Sequence, residues 1–399
     1  VQTNSPTTVG SNEIDIVTDD TLFNTCTESS TGDNLAECTI DWLDSIESIT
    51  QTNTATGNDL TNIGLVLDNT LDTTQGVDLA NDCDESDAGD NLVQCINNLS
   101  NLIGPIAQTN NVAGDIPASS HVNDIIALQL AIGENDCDET GNGNNDASCA
   151  NHLESTNFID SITQANAADA DSADQLNNAT IGQALDLVND CDESDDGVNT
   201  ASCHVDDVDN LVGPIEQFNE ATGSPLADIS QNNQVNGPDV TSAGILQVIL
   251  ATNDCDESGP GDNDVNCDIE SVDNDFNAIT QTNDIDAADD GTVISQDNGA
   301  SIGQVILAGN DCDESSTAIE LNDANCVIDE NLDQFIHTVD QTNAAEAQDF
   351  SQADQDNNVA LSQALFAVND CDSTDGNLTS CVNDGVIDVN VIGDIDQLN

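Results

Sequence analysis

The residues best equipped for chemistry stand in one recurring phrase, Asn-Asp-Cys-Asp-Glu-Ser/Thr. It begins at Asn81, Asn135, Asn189, Asn253 and Asn310, returns as Asn-Asp-Cys-Asp-Ser at Asn369, and survives in degenerate form as Thr-Cys-Thr-Glu-Ser at Thr25. In Asp190-Cys-Asp192-Glu193-Ser194-Asp195-Asp196-Gly197 the oxygen ligands alternate ahead of a glycine, as they do in calcium loops. The glycine falls later than in such loops, and no bidentate Glu follows at a fixed offset. The candidate metal ligands are Asp82, Asp84 and Glu85; Asp136, Asp138 and Glu139; Asp190, Asp192 and Glu193; Asp254, Asp256 and Glu257; Asp311, Asp313 and Glu314; and Asp370 with Asp372. Repeat one carries Thr25 and Thr27 where the others carry Asp, so six sites are expected instead of seven. The competing reading is a solvated turn that binds salt diffusely. Ca2+ is the only cofactor this chemistry suggests.

Each phrase is followed by a second cysteine 10 to 14 residues on. The pairs are Cys26/Cys38, Cys83/Cys95, Cys137/Cys149, Cys191/Cys203, Cys255/Cys267, Cys312/Cys326 and Cys371/Cys381, which uses all 14 cysteines once. Between the members lie Gly/Asn/Asp-rich stretches such as Asp87-Ala-Gly-Asp-Asn91, which are turn chemistry. A zinc site would want clustered Cys-x-x-Cys ligands with His nearby, and that spacing is absent. One disulfide inside each repeat is the economical reading, and it implies an oxidising compartment. Closing a loop of a dozen residues is worth roughly 3 kcal/mol in the chain-entropy model.

Composition excludes more than it suggests. The 399 residues contain 78 Asp and Glu but no Lys or Arg, a formal charge of −78. Such a chain cannot neutralise phosphates, grip a nucleotide by lysine or attach to an anionic membrane through a basic patch. Four His and an amino terminus against 78 carboxylates place neutrality at roughly pH 3. Self-repulsion must be offset by solvent cations, bound cations or covalent links. Nucleic acid is excluded as a partner and cations are expected ones. The His residues, His121, His152, His204 and His337, fall at unmatched places in different repeats, so a triad or zinc site would have to be built against the periodicity. No phosphate loop and no Gly-x-Ser-x-Gly occurs. With so many acids a pair of neighbouring carboxylates carries no information about glycoside hydrolysis. No enzyme is expected.

The elements that must hold these residues form a repeat array. Val1-Gln-Thr-Asn4, Thr50-Gln-Thr-Asn53, Ala107-Gln-Thr-Asn110, Thr163-Gln-Ala-Asn166, Glu216-Gln-Phe-Asn219, Thr280-Gln-Thr-Asn283, Asp340-Gln-Thr-Asn343 and Asp396-Gln-Leu-Asn399 recur with 49 to 64 residues between successive Gln. Seven repeats result: 1–50, 51–107, 108–163, 164–216, 217–280, 281–340 and 341–399. Hydrophobic residues are only 37%, with seven Phe and one Trp, which suits a thin core repeated many times. The apolar runs are short and β-branched, as in Ile46-Glu-Ser-Ile-Thr-Gln-Thr and Val386-Ile-Asp-Val-Asn-Val-Ile, and are surrounded by poor helix formers. Short strands are expected, with Leu361-Ser-Gln-Ala-Leu-Phe-Ala-Val368 able to form one or two helical turns. Trp42 and the Phe residues are expected to fill the core. The fold class is all-β, a solenoid-like array of seven disulfide-stapled repeats of about 57 residues; the alternative is a seven-bladed β-propeller.

Gln also recurs eight apart within repeats, as Gln175/Gln183, Gln296/Gln304 and Gln355/Gln363. In stacked strands identical amides hydrogen-bond along a ladder, satisfying one another where no salt bridge can form. Ile49-Thr-Gln-Thr-Asn-Thr-Ala55 and Gln355-Asp-Asn-Asn-Val-Ala-Leu-Ser-Gln363 resemble the Gln/Asn-ladder repeats of curli-type secreted fibre subunits. Curli-type repeats are shorter and lack disulfides, so the resemblance covers the Gln/Asn segments alone and implies a style of packing, stacked β-solenoid coils.

The start at Val1, with no signal peptide and no apolar stretch long enough to span a membrane, reads as a processed, exported chain at the cell surface or outside it. Membrane insertion is not expected. Asn98-Leu-Ser, Asn178-Ala-Thr and Asn377-Leu-Thr are sequons for N-linked glycan. The shared first and last phrases lead to the expectation of a homopolymer: a structural protomer of an extracellular fibre, pilus-like filament or surface sheath, assembling head to tail through its terminal phrases. The other expectation is a secreted acidic module that binds cations, glycan or a surface partner.

Overall fold

A computed structural model describes the chain apart from residues 5–8, 29–33, 57–64, 87–89, 141–142, 195–197, 224–227, 236–244, 259–261, 288–291, 316–322, 329–331, 347–349, 375–377, 384–388 and 399. Among the described residues every regular element is a strand, and every strand pairing is parallel. Each strand pairs with its counterparts about one repeat away. Gln51 stands against Gln108, Cys83 against Cys137 and Cys95 against Cys149. A propeller would need antiparallel blades closed within each repeat, so the architecture is a β-solenoid.

One coil is typified by residues 49–103. A short strand, Ile49–Thr56, is followed by a long one, Leu65–Glu85, and then by Asn91–Ile103. Stacking the coils produces three sheets: one of the Gln-x-Asn strands, one of the long strands and one of the strands carrying the second cysteine. The long strand lies across both of the others. Its Asn69 meets Asn53 of the short strand, its Asn81 meets Asn97, and its Cys83 is bridged to Cys95. The coil is therefore flattened, with one long strand facing two collinear shorter ones.

The strands are longer than the sequence suggested, and Leu361–Val368 is not helical. It lies inside the strand Phe350–Thr374. Asn, Asp and Gly interrupt the apolar pattern locally but alternate with Ile, Val and Leu, so period 2 is kept across them. The acidic phrase is likewise the end of the long strand and not a loop.

Inward positions stack into columns. Ile49, Ile106, Ile162, Ile215, Ile279 and Val339 form one, all 5% exposed or less. Each such side chain contributes about 1.5–3 kcal/mol by leaving water. Paired cysteines form another column with Ala36, Val93, Ala147, Ala201, Val265 and Ala324. Further apolar residues such as Leu71, Leu79 and Ile125 fill other inward places, and many of the rest are amides. Asn110 donates to Val122 O at 2.9 Å, Asn123 Oδ1 at 3.0 Å and Asn166 Oδ1 at 3.1 Å. A buried amide left without partners costs about 1–3 kcal/mol, and the ladders remove that cost where the chain has no cation to offer.

Phe276 fills the core as expected, and Trp42 is half-buried against an apolar cluster that includes Ile40, Leu79 and Leu99. Phe23 and Phe366 instead face outward, 67% and 56% exposed. Their places in the alternation decide this, not their hydrophobicity.

Two-residue corners join the sheet of second cysteines to the Gln-x-Asn sheet. Their amides bond to the coil before, as from Gly104 to Ile46 O at 2.8 Å and from Gly213 to Ile159 O at 2.7 Å. A Cβ at Gly213 would collide with the Asp160 carbonyl beneath it, so this corner requires glycine.

Candidate functional site

The candidate metal ligands separate by strand parity. Asp82, Asp136, Asp190, Asp254, Asp311 and Asp370 stand in register in one column, and Asp84, Asp138, Asp192, Asp256, Asp313 and Asp372 in a second, two residues along. The described side chains of both columns lie on the outer face of the long-strand sheet; those of Asp372, Glu257 and Glu314 are outside the described residues. Thr25 and Thr27 occupy these places in the first coil. Glu85, Glu139 and Glu193 turn inward and are 1%, 0% and 2% exposed. The Asp and Glu of one phrase therefore do not converge on one ion. Among the described residues no three carboxylates bring oxygens within 4.8 Å of one another.

Stacking like charges strains the outer columns. Burial, reinforced by Asp138, Asp82 and Asp84, pushes Asp136 up to about 6. Burial with Asp192, Asp254, Asp136 and Asp138 pushes Asp190 up to about 7. Asp84, Asp192, Asp254 and Asp256 are raised for the same reasons. A third column, Asp209, Asp273 and Asp333, runs up the sheet of second cysteines. Burial and then neighbouring aspartates raise Asp209 to about 6 and Asp273 to about 7. Sequence reasoning missed this column because nothing marks it locally; aligning whole repeats in register would have found it.

The cysteines pair as the spacing implied. Cys26–Cys38, Cys83–Cys95, Cys137–Cys149, Cys191–Cys203, Cys255–Cys267 and Cys312–Cys326 are bridged. Cys371 is also disulfide-bonded, and the side chain of Cys381 is outside the described residues. Successive bridges approach within 4.8 Å, as at Cys38, Cys83 and Cys95. With every sulfur there in a bridge, no thiolate is available to a metal.

Among the described residues the histidines do not come together. His337 pairs with Asp275 at 3.1 Å on the surface. His121 is wholly buried in a glutamine column, between Leu67 and Gln175, and both ring nitrogens lack partners. Burial pushes it down to about 4. The side chain of His152 is outside the described residues, as is Asn377 of the third sequon; Asn98 and Asn178 lie on outward positions.

The amide ladders have a direction. Gln108 donates to Gln51 at 2.8 Å, Gln164 to Gln108 at 3.0 Å, Gln217 to Gln164 at 2.8 Å, and the same sense continues through Gln281, Gln341 and Gln397. Gln129, Gln183, Gln247, Gln304 and Gln363 repeat it in the long-strand sheet. The interior asparagines run the other way. Asn53 donates to Asn110 at 3.0 Å and Asn110 to Asn166 at 3.1 Å; Asn69 donates to Asn123 and Asn123 to Asn177, both at 2.9 Å. Opposed columns offset one another's axial dipoles, yet each retains a donor end and an acceptor end.

Fold and bridges together define a disulfide-stapled parallel β-solenoid with amide ladders inside and carboxylate columns outside. No protein-family model, curated protein or solved structure matches the chain. Its repeat-built, disulfide-rich all-β fold is compatible with an extracellular structural protein, and its many bridges suggest an oxidising, extracellular or secreted environment.

Proposed function

We propose that this chain is a structural protomer that stacks head to tail into an extracellular fibre or surface sheath. The observation that carries the reading is the polarity of the amide ladders. A column that donates in one direction leaves acceptors at one end of the stack and donors at the other. Gln columns and Asn columns do so in opposite senses. Setting the last coil of one copy on the first coil of another meets donors with acceptors in both kinds of column, whereas head-to-head contact sets like groups against like. Such a heterologous contact propagates without closing.

Packing at the two ends supports the same reading. Inward residues of the outermost coils, Ile14, Ile16 and Leu22 at one end and Val359, Leu361 and Leu365 at the other, are only partly buried. Their counterparts in the coils between are covered on both sides. Inward residues left partly bare at the end of a stack are the surface on which a further coil can be laid. The outer carboxylate columns favour a second, compatible reading, an acidic coat that retains cations.

Negative-stain electron microscopy of the non-reduced protein, with and without millimolar calcium, tests the proposal. Unbranched filaments of uniform width are expected, and their fibre diffraction should carry a meridional reflection near 4.8 Å. Monodisperse particles under both conditions would sink the fibre reading and leave the cation-retaining module.

A further inference from the structure

Glu85, Glu139 and Glu193 each follow an outward aspartate by one residue, and alternation turns them into the interior. They stand in register on successive coils. The backbone register continues the column to Glu28 in one direction and to Glu257 and Glu314 in the other. Glu139 is wholly buried; no hydrogen bond of good geometry reaches its oxygens, and the Asn91 side chain and Asp146 backbone give its charge only partial support. Around it lie the Glu85 carboxylate, the Asn91 amide and Asp146. No Lys or Arg exists anywhere in the chain to balance such a group. Most other buried polar places in the interior are taken by Asn and Gln, which stack without charge. A column of buried carboxylates where an amide ladder would have served calls for a counter-ion.

We propose that this inward glutamate column binds Ca2+, each ion bridging the carboxylates of successive coils. Spacing selects the ion. Parallel strands lie about 4.8 Å apart, so an ion midway between two stacked carboxylates sits about 2.4 Å from their facing oxygens; that is within the roughly 2.3–2.6 Å of calcium and beyond the roughly 2.0–2.1 Å of magnesium. The stacked carboxylates of Glu85, Glu139 and Glu193 supply oxygen ligands of the kind a hard cation takes. The site is distinct from the outward Asp columns, where carboxylates face solvent, and it holds whether or not the chain polymerises.

The test uses the full non-reduced chain, stripped with a chelator and returned to buffer at pH 8 and fixed ionic strength. CaCl2 and MgCl2 are titrated separately by calorimetry, alongside thermal melts, for wild type, Glu139→Gln and the control Asp72→Asn, an exposed position outside every acidic column. Expected is saturable calcium binding, at least tenfold tighter than magnesium, with at least one ion fewer and a smaller calcium-dependent rise in Tm for Glu139→Gln; the control keeps the wild-type stoichiometry. The calcium-to-magnesium ratio in wild type tests the site even if Glu139→Gln fails to fold. Equal affinity for the two ions, or an unchanged ion count in a folded Glu139→Gln, would overturn the proposal.

Discussion

Replacing His121 by Gln should stabilise the protein, and by more as the solution is acidified. Gln175, Gln231, Gln296 and Gln355 form a column in register with His121. Gln231 donates to Gln175 at 2.8 Å, and Gln175 itself donates to Glu220 O at 2.9 Å on the opposite sheet. One coil earlier the residue in register with Glu220 is Ala167, so Gln at 121 would donate to the Ala167 carbonyl and accept from Gln175. Wild type has instead an imidazole with two unpartnered nitrogens. Gaining one or two hydrogen bonds at about 1 kcal/mol each, and losing the orphaned nitrogens, gives about 1–3 kcal/mol at neutral pH.

The acid part follows from linkage. Burial lowers His121 from 6.5 to about 4, so the unfolded chain binds a proton between those values while the folded chain does not. Stability is whole above pH 6.5 and is lost as pH falls toward 4, by about 3 kcal/mol in all. Urea melts of both proteins at pH 8, 6 and 4.5 and constant ionic strength report the difference, from which the shared carboxylates cancel. A difference that stayed flat with pH, or a variant less stable than wild type, would refute the reasoning about this column.

The outer carboxylates have the opposite sign. Raised to about 6 and about 7, Asp136 and Asp190 disfavour folding when charged, a cost relieved as pH falls through those values; Asp136→Asn and Asp190→Asn should raise Tm at pH 7.5 and leave it nearly unchanged at pH 4. Scanning calorimetry at both pH values checks this, and added salt should shrink the effect. Gly213→Ala should lower stability by about 2 kcal/mol because the Asp160 carbonyl occupies the space, whereas Gly299→Ala, whose nearest neighbour is Gln234 at 4.0 Å, should cost under about 1 kcal/mol in the same denaturation assay. Removing the Cys191–Cys203 bridge with Ser at both positions opens a crosslink of sequence separation 12 and should cost roughly 3 kcal/mol. Hydrogen exchange should show the loosening confined to neighbouring coils; global cooperative unfolding would contradict near-independent repeats.

The recurring phrases alone pointed to a repeat-built all-β array and to the cysteine pairing seen in six bridges, because Gln, Cys and Asp return at one place in every unit and a parallel stack is what brings like residues together. Strand length was not legible. Asn and Asp read locally as turn formers, and only stacked neighbours, by satisfying their amides, extend Phe350–Thr374 into one strand. The division of Asp84 from Glu85 was also beyond the sequence, since adjacent residues of a strand face opposite sides and the phrase resembled a loop until its strand was known. Nor could spacing foretell that glutamine and asparagine ladders run in opposite directions. That follows from which carbonyls each amide reaches across the flattened coil, a property of facing sheets and not of any one strand.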